Sequence, residues 1–121
     1  MESVIKHIID TCSAVVQTYF RVNPNEVPSY PYAVFTYQES SVEWEQDGCY
    51  IDIDLFDNQG TDDSRIEATL NQLKNIMKHH YVMLDDCYLR FQFSGANIID
   101  IMSDTLQRRN IRLYLIIDWR N

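Results

Sequence analysis

The sequence contains few residues that break secondary structure. Only three of its 121 residues are glycine and three are proline, and 45% are hydrophobic. This composition excludes a disordered or collagen-like chain, because enough apolar surface is present to form a core. Three glycines are also too few for a glycine-rich loop that cradles phosphates. The length fits one domain, residues 1–121, and leaves no room for a second.

Cysteine is also scarce. The three thiols, at Cys12, Cys49 and Cys87, are odd in number, far apart and without a CxxC pair. This spacing excludes a disulfide scaffold and is typical of free thiols in a reducing compartment. No stretch approaches the ~20 apolar residues of a membrane span, and the acidic Glu2 and basic Lys6 interrupt any signal-peptide order. We therefore expect a soluble, intracellular protein without membrane contacts.

Positive charge is in short supply. Ten Lys and Arg residues stand against 18 Asp and Glu residues, which gives a formal charge of −8. Binding to duplex DNA needs clustered cations that neutralise phosphates, so the composition argues against specific nucleic-acid binding. It does not exclude a passage through which DNA moves without adhering.

Sequence motifs of enzymes are missing as well. There is no G-x-S-x-G, no P-loop and no dinucleotide fingerprint, so we predict no catalytic residues, no cofactor and no metal. Asp52 and Asp54 share one strand face with Asp57 close by, and a small metal-dependent hydrolase built on these three carboxylates stays open as a less favoured alternative. His79 and His80 are adjacent and point in different directions, which favours capping of a helix end over metal binding.

The strongest pattern that is present is a strand followed at once by a helix. Residues 49–56 alternate between apolar and polar or aromatic side chains, which predicts a half-buried strand. After a turn at residues 57–60, apolar residues recur at helical spacing and predict a long helix over about residues 61–79. Ser64, with Glu67 three residues later, predicts a capping box at the start of this helix.

The N-terminal half adds a helix, a strand and a hairpin. An apolar stripe predicts a short N-terminal helix, and residues 14–20 are rich in strand formers. All three prolines fall in residues 23–31, which predicts a loop. Residues 32–56 predict a long hairpin, with an acidic tip that projects from the body of the protein.

The C-terminal half predicts further strands. Residues 81–93 include an alternating stretch, and residues 111–120 alternate over their full length. Residues 95–107 fit a helix and a strand equally well, so the pattern leaves this segment open. The predicted fold is therefore an α+β domain, with a mainly antiparallel, twisted sheet of about four to five strands and two helices packed on it.

Several charged and aromatic residues are candidates for contacts between subunits. The C-terminal arginines, which include Arg120, could dock on the acidic hairpin tip of another copy and close a ring by a head-to-tail contact. Ordinary surface charge is the simpler interpretation of the same residues, and either tryptophan could be an interface anchor or part of the core. The interface candidates are Glu43, Trp44, Glu45, Asp47, Arg108, Arg109, Arg112 and Trp119.

The order of the predicted elements resembles the tail terminator, or tail completion, proteins of long-tailed bacteriophages and prophages. The resemblance covers nearly all 121 residues. It rests on the segment YPYAV at residues 30–34 that enters the second strand, on IDIDLFDN at residues 51–58 with a helix directly after it, and on the Arg108-Arg109 pair before the last strand. The resemblance is one of layout and involves no catalytic signature.

This resemblance implies a structural virion protein, assembled in the host bacterial cytoplasm as a homo-oligomeric ring that is commonly hexameric. The ring caps the head-proximal end of the tail tube, ends tube polymerisation and offers the head–tail joining surface. The implied partners are the tail tube protein and the head–tail connector protein. Asp52 and Asp54 would face the lumen and keep passing DNA from adhering. The alternative in the same setting is a head–tail connector or minor capsid protein.

Overall fold

Two helices and six strands form the described part of the chain, residues 1–42 and 46–120 of a computed structural model. The predicted α+β class is confirmed. In chain order the elements are α1 (Glu2–Cys12), β1 (Gln17–Phe20), β2 (Tyr32–Val42), β3 (Gln46–Asp57), α2 (Ser64–Met77), β4 (Tyr81–Met83), β5 (Cys87–Ile99) and β6 (Gln107–Trp119).

All six strands belong to one mixed sheet in the order β1-β2-β3-β6-β5-β4. The prediction of a mainly antiparallel sheet of about four to five strands therefore differs in detail, because there are six strands and one pair is parallel. β1 runs parallel to β2, because the proline-rich loop between them carries the chain back to the end of the sheet where β1 began. β4 has only three residues and pairs with the first part of β5. The segment of residues 81–93, in which one alternating stretch was predicted, therefore contains β4 and the first part of β5.

Both helices share one hydrophobic core with the odd-numbered side chains of the central strands. The alternation of β3 and β6 places these side chains on one face of the sheet, as the period of two requires. Neither described helix is long and apolar enough to cross a membrane. The buried apolar residues of the two central strands are Cys49, Ile51, Ile53, Leu55, Ile111, Leu113, Leu115 and Ile117.

The long helix predicted over residues 61–79 is confirmed as α2, but its predicted capping box is wrong. Ser64 is the first helical residue, and the cap position, Asp63, makes no side-chain cap hydrogen bond. The Glu67 carboxylate instead accepts a hydrogen bond from Arg109 Nε at 2.8 Å. The Glu67 carboxylate is thus engaged by a guanidinium that is charged and almost fully buried, and a bond between two charged groups is among the strong ones.

The predicted hairpin at residues 32–56 is confirmed, whereas its predicted projection is wrong for the described residues. β2 and β3 pair antiparallel along their length. β3 also pairs with β6 along the whole of Gln46–Asp57, so both of its edges lie inside the sheet. Of the predicted acidic tip, Glu43, Trp44 and Glu45 lie outside the described residues, whereas Asp47, which was predicted in the turn, belongs to β3.

The segment at residues 95–107 continues β5 as far as Ile99 and then forms the loop to β6. This loop packs on the turn between β3 and α2, where the Gly60 N–H donates to the Thr105 carbonyl at 2.9 Å. Gly60 has a φ of +65°, and a Cβ at this position would lie 3.3 Å from the Asp104 carbonyl oxygen. Glycine is thus required here both by its backbone conformation and by the close approach of the loop.

Gln107 joins the two loops at this end of the sheet. The residue is buried, and the two N–H groups of its Nε2 are shared among the carbonyls of Gly60 (3.0 Å) and Asp62 (2.9 Å) and Asp63 Oδ1 (2.9 Å). Its Oε1 accepts from the Gln59 N–H at 3.2 Å. One amide group therefore satisfies polar atoms from the whole turn before α2.

We expect Gln107→Ala to lower the free energy of unfolding by about 1 kcal/mol, because it removes the buried amide that bonds the partly buried carbonyls and N–H of the turn. Urea denaturation measures this loss. Gln92→Ala, which changes an exposed glutamine of β5, is the matched control and should stay within about 0.5 kcal/mol of the parent. Equal losses in the two variants would contradict the proposed role of Gln107.

Candidate functional surface on the open sheet face

The even-numbered side chains of β3 and β6 form a surface that no described helix covers. We call it the open face. Directly opposite residues of the two strands include Asp52 with Arg112 and Asp54 with Asn110, and such pairs lie on the same face of a sheet. The central residues of the open face are Tyr50, Asp52, Asp54, Phe56, Arg108, Asn110, Arg112 and Tyr114.

Both aspartates of the open face are bound to residues of β6. Arg112 donates from Nε to Asp52 Oδ1 (3.1 Å) and from its terminal nitrogen to Oδ2 (3.3 Å), which is a two-pronged contact. Asp54 accepts from Arg108 at 3.0 Å and from Asn110 Nδ2 at 3.0 Å. The hydrogen bonds that Arg112 makes to Asp52 raise the pKa of the Arg112 guanidinium. Each carboxylate therefore holds a guanidinium in place.

Aromatic rings hold the same two guanidiniums from a second side. Arg112 Cζ lies 4.6 Å from the Tyr50 ring centroid, and Arg108 Cζ lies 5.5 Å from that of Phe56. Phe56 is stacked in turn on Tyr32 with 5.0 Å between their centroids. Each cation–π contact is worth about 0.5–1 kcal/mol at an exposed site. The arginines are thus anchored by both charge and ring contacts.

A third ion pair completes the charge balance of the open face. Asp118, which could have added to a negative surface, accepts from Arg90 at 3.2 Å and from Gln46 Nε2 at 2.7 Å. Three carboxylates thus face three guanidiniums. Asp52 and Asp54 share one face as predicted, but the negative surface expected from them is neutralised by two arginines of β6.

A recess of about 430 Å³ opens on this face beside the second half of β5. It lies where the pairing of β5 with β6 shifts register between Phe93 and Gly95. Arg112, Asn110 and Asn97 contribute polar groups to its lining. The first two already bind carboxylates of β3, so the recess is lined by groups that cross-strand contacts hold in position.

The three carboxylates of the alternative hydrolase site do not lie together. Asp57 is an odd number of residues from Asp52 and Asp54, so it points to the opposite face, where it is buried and accepts from Arg65 Nε at 2.8 Å. Burial alone would raise the pKa of Asp57, but hydrogen bonds from Arg65 and from the Asn58 N–H outweigh it and the pKa is lowered. Within residues 1–42 and 46–120, no group of three or more His, Cys, Asp or Glu residues is placed to hold a metal ion.

Three further interface candidates make contacts inside their own chain. Arg109 is almost fully buried and binds both Asp63 (3.4 Å) and Glu67 (2.8 Å) at the start of α2. Asp47 accepts from Trp119 Nε1 at 2.8 Å, and Trp119 is half-buried against the core. Glu43, Trp44 and Glu45 belong to the undescribed tip. Arg120 is exposed and forms no ion pair within the described chain.

The capping role predicted for His79 and His80 is not what the structure shows for His80. Lys78 is the C-cap of α2, through its backbone N–H. His80 Nε2 lies 2.8 Å from His7 Nε2 on α1, while His79 is exposed. The two paired histidines are 73 residues apart in sequence, so no local pattern could have connected them.

No protein-family model matches this chain, and no match is found among curated proteins. The open face and the order of the elements are therefore the features on which a functional proposal can rest.

Proposed function

We propose that this protein is a bacteriophage or prophage structural protein, a tail terminator that caps the head-proximal end of the tail tube as a homo-oligomeric ring. The observation that carries the proposal is the element order: helix, strand, proline-rich loop, long hairpin whose second strand is followed by a long helix, and closing strands. This is the layout on which the resemblance to tail terminators rests. In this role the ring ends tube polymerisation and provides the head–tail joining surface.

The open face supports this proposal by its chemistry. A ring through which a genome passes needs a lumen to which duplex DNA does not adhere. Arg108 and Arg112 are bound to Asp54 and Asp52, so neutralising a phosphate would first require an internal ion pair to break. We propose that the open face lines the lumen, and that the two aspartates act there by occupying the arginines rather than by presenting bare negative charge.

The proposed contact between neighbouring subunits involves fewer of the C-terminal arginines than the sequence alone suggested. Arg108, Arg109 and Arg112 are occupied inside their own subunit. Arg120 is the C-terminal arginine left for an acidic partner, so it is the residue proposed to meet the acidic hairpin tip of the next copy. The other partners proposed are the tail tube protein and the head–tail connector protein, in the assembled virion.

Deletion of the coding gene from the phage or prophage is expected to give tails of irregular, excessive length without a cap, because nothing then stops tube growth. Electron microscopy of the lysate measures tail length, and a wild-type copy supplied in trans should restore it. Tails of normal length beside unjoined heads would indicate a connector or minor capsid protein instead. Normal virions would contradict both assignments.

A further inference from the structure

His7 of α1 and His80 at the end of α2 meet edge to edge. Their Nε2 atoms are 2.8 Å apart, their ring centroids are 5.1 Å apart and their planes differ by 6°. Because the nitrogens are much closer than the centroids and the planes are nearly parallel, both nitrogens lie on the line between the rings. The rings therefore lie end to end in a common plane, the geometry of one N–H···N hydrogen bond.

This geometry limits the number of protons that the pair can carry. In the neutral pair one imidazole donates and the other accepts, and an imidazolium can still donate to a neutral imidazole. A second added proton leaves two donors facing each other, with two positive charges at hydrogen-bond distance. The pair thus keeps its bond with one extra proton and loses it with two.

The pair is placed where it holds the first half of α1 on the sheet. One turn earlier, Ser3 Oγ donates to the Asp86 carboxylate at 2.9–3.0 Å, in the connection between β4 and β5. Val4 and Ile8, on the same helix, are fully buried. The start of α1 is therefore attached by apolar packing and by two polar contacts, of which the histidine pair titrates nearest to neutral pH.

The surrounding charges permit one proton and oppose the second. Burial and the neighbouring His80 lower the pKa of His7, while Asp10 acts in the opposite direction, and burial lowers the pKa of His80. A groove of about 590 Å³ beside His7 gives solvent access and carries acids that favour a first proton. The ionisable groups that line the groove or the adjacent recess at His80 are Lys6, Asp10, Asp85, Asp86, His79, Tyr81, Tyr88 and Arg90.

We propose that the His7–His80 pair is a pH-sensitive latch, which holds the first half of α1 on the sheet near neutral pH and releases it when both rings are protonated. The direction of this pH effect follows from the linkage between protonation and folding stability. Each imidazole has a lowered pKa in the folded state, so its contribution to stability is complete above about pH 6.5 and is lost as the pH falls from there through the folded pKa. The latch concerns the subunit alone and does not depend on the proposed ring.

Cys87 offers a direct readout of this release. Its thiol is buried at the start of β5, next to the Asp86 carboxylate that binds Ser3. With Cys12→Ala and Cys49→Ala it is the only thiol, and 4,4′-dithiodipyridine labels thiols even at acid pH. The labelling rate at each pH is divided by that of the same protein unfolded in urea. This ratio should rise by about tenfold or more between pH 7.5 and pH 5. Each proton taken up on release can raise the fraction of released molecules by up to about tenfold per pH unit.

His80→Gln keeps a hydrogen-bonding side chain that cannot take up a proton, so it should clearly weaken the acceleration. His79→Gln, at the exposed neighbouring histidine, is the matched control and should retain it. An undiminished acceleration in His80→Gln would overturn the latch. If the cysteine variants do not fold, imidazole ¹⁵N NMR of the unmodified protein decides. His7 and His80 should titrate as a coupled pair, and independent titration of these two rings would refute the proposal.

Discussion

Asp52→Asn together with Asp54→Asn is expected to make the protein bind duplex DNA. Asparagine preserves the size of each side chain but removes the charge that occupies Arg112 and Arg108. Two freed guanidiniums per subunit could neutralise two phosphates, so log Kobs should fall with log[salt] with a slope of about −1.8 per subunit. Fluorescence anisotropy of a labelled duplex at 50–200 mM salt measures both the binding and the slope.

The control must separate freed arginines from lowered net charge. Asp85→Asn together with Asp100→Asn removes two negative charges as well, but neither residue forms an ion pair in the described chain. This variant should remain without DNA binding. If the two double variants bind equally, net charge alone would explain the effect, and the proposed role of Asp52 and Asp54 would be wrong.

Arg65→Met is expected to destabilise the protein by about 3 kcal/mol, because it leaves a buried carboxylate without its cation. The Asp57 side chain is fully buried, whereas that of Arg65 is 44% exposed, so the cost is set by the acid that stays behind. Urea denaturation near pH 7 measures the loss. Asp57→Leu added to Arg65→Met removes the buried charge as well and should recover much of the stability.

The pH dependence of Arg65→Met gives a second, sharper test. In the parent the pKa of Asp57 is lowered, so its contribution is present above the ordinary value of about 3.9 and is lost as the pH falls through the folded pKa. Without Arg65, burial raises the pKa of Asp57 instead. The sign then reverses, and the variant should lose stability relative to the parent as the pH rises from about 4 to 7. Parallel stability curves in this range would contradict this account of Asp57.

Long, regular patterns predicted their elements correctly. β3, β6 and α2 combine unbroken alternation or a clear helical stripe with enough length for the pattern to be decisive. The short strands β1 and β4 have three or four residues each, too few to define a period. The parallel pairing of β1 could not be predicted either, because it depends on where the loop at residues 21–31 returns the chain.

Only the part of the open face that follows from the alternation of side chains along a strand could be predicted from the sequence. Alternation correctly placed Asp52 and Asp54 on one face, and the same count applied to Asp57 would have placed that residue on the other. Their partners Arg108 and Arg112 follow β3 by more than fifty residues, and their positions depend on the register between β3 and β6. That register is set by the packing of both strands in the core, which one sequence does not display.

The pattern of β6 also protects the strand against misalignment. Because neighbouring strand residues point to opposite faces, Arg108 lies on the open face while Arg109 reaches the start of α2. A slip of β6 by one residue would take Arg112 away from Asp52 and turn it towards the core, while it turned the aliphatic residues of the strand towards water. The nearest wrong alignment is therefore costly at both surfaces of the sheet at once.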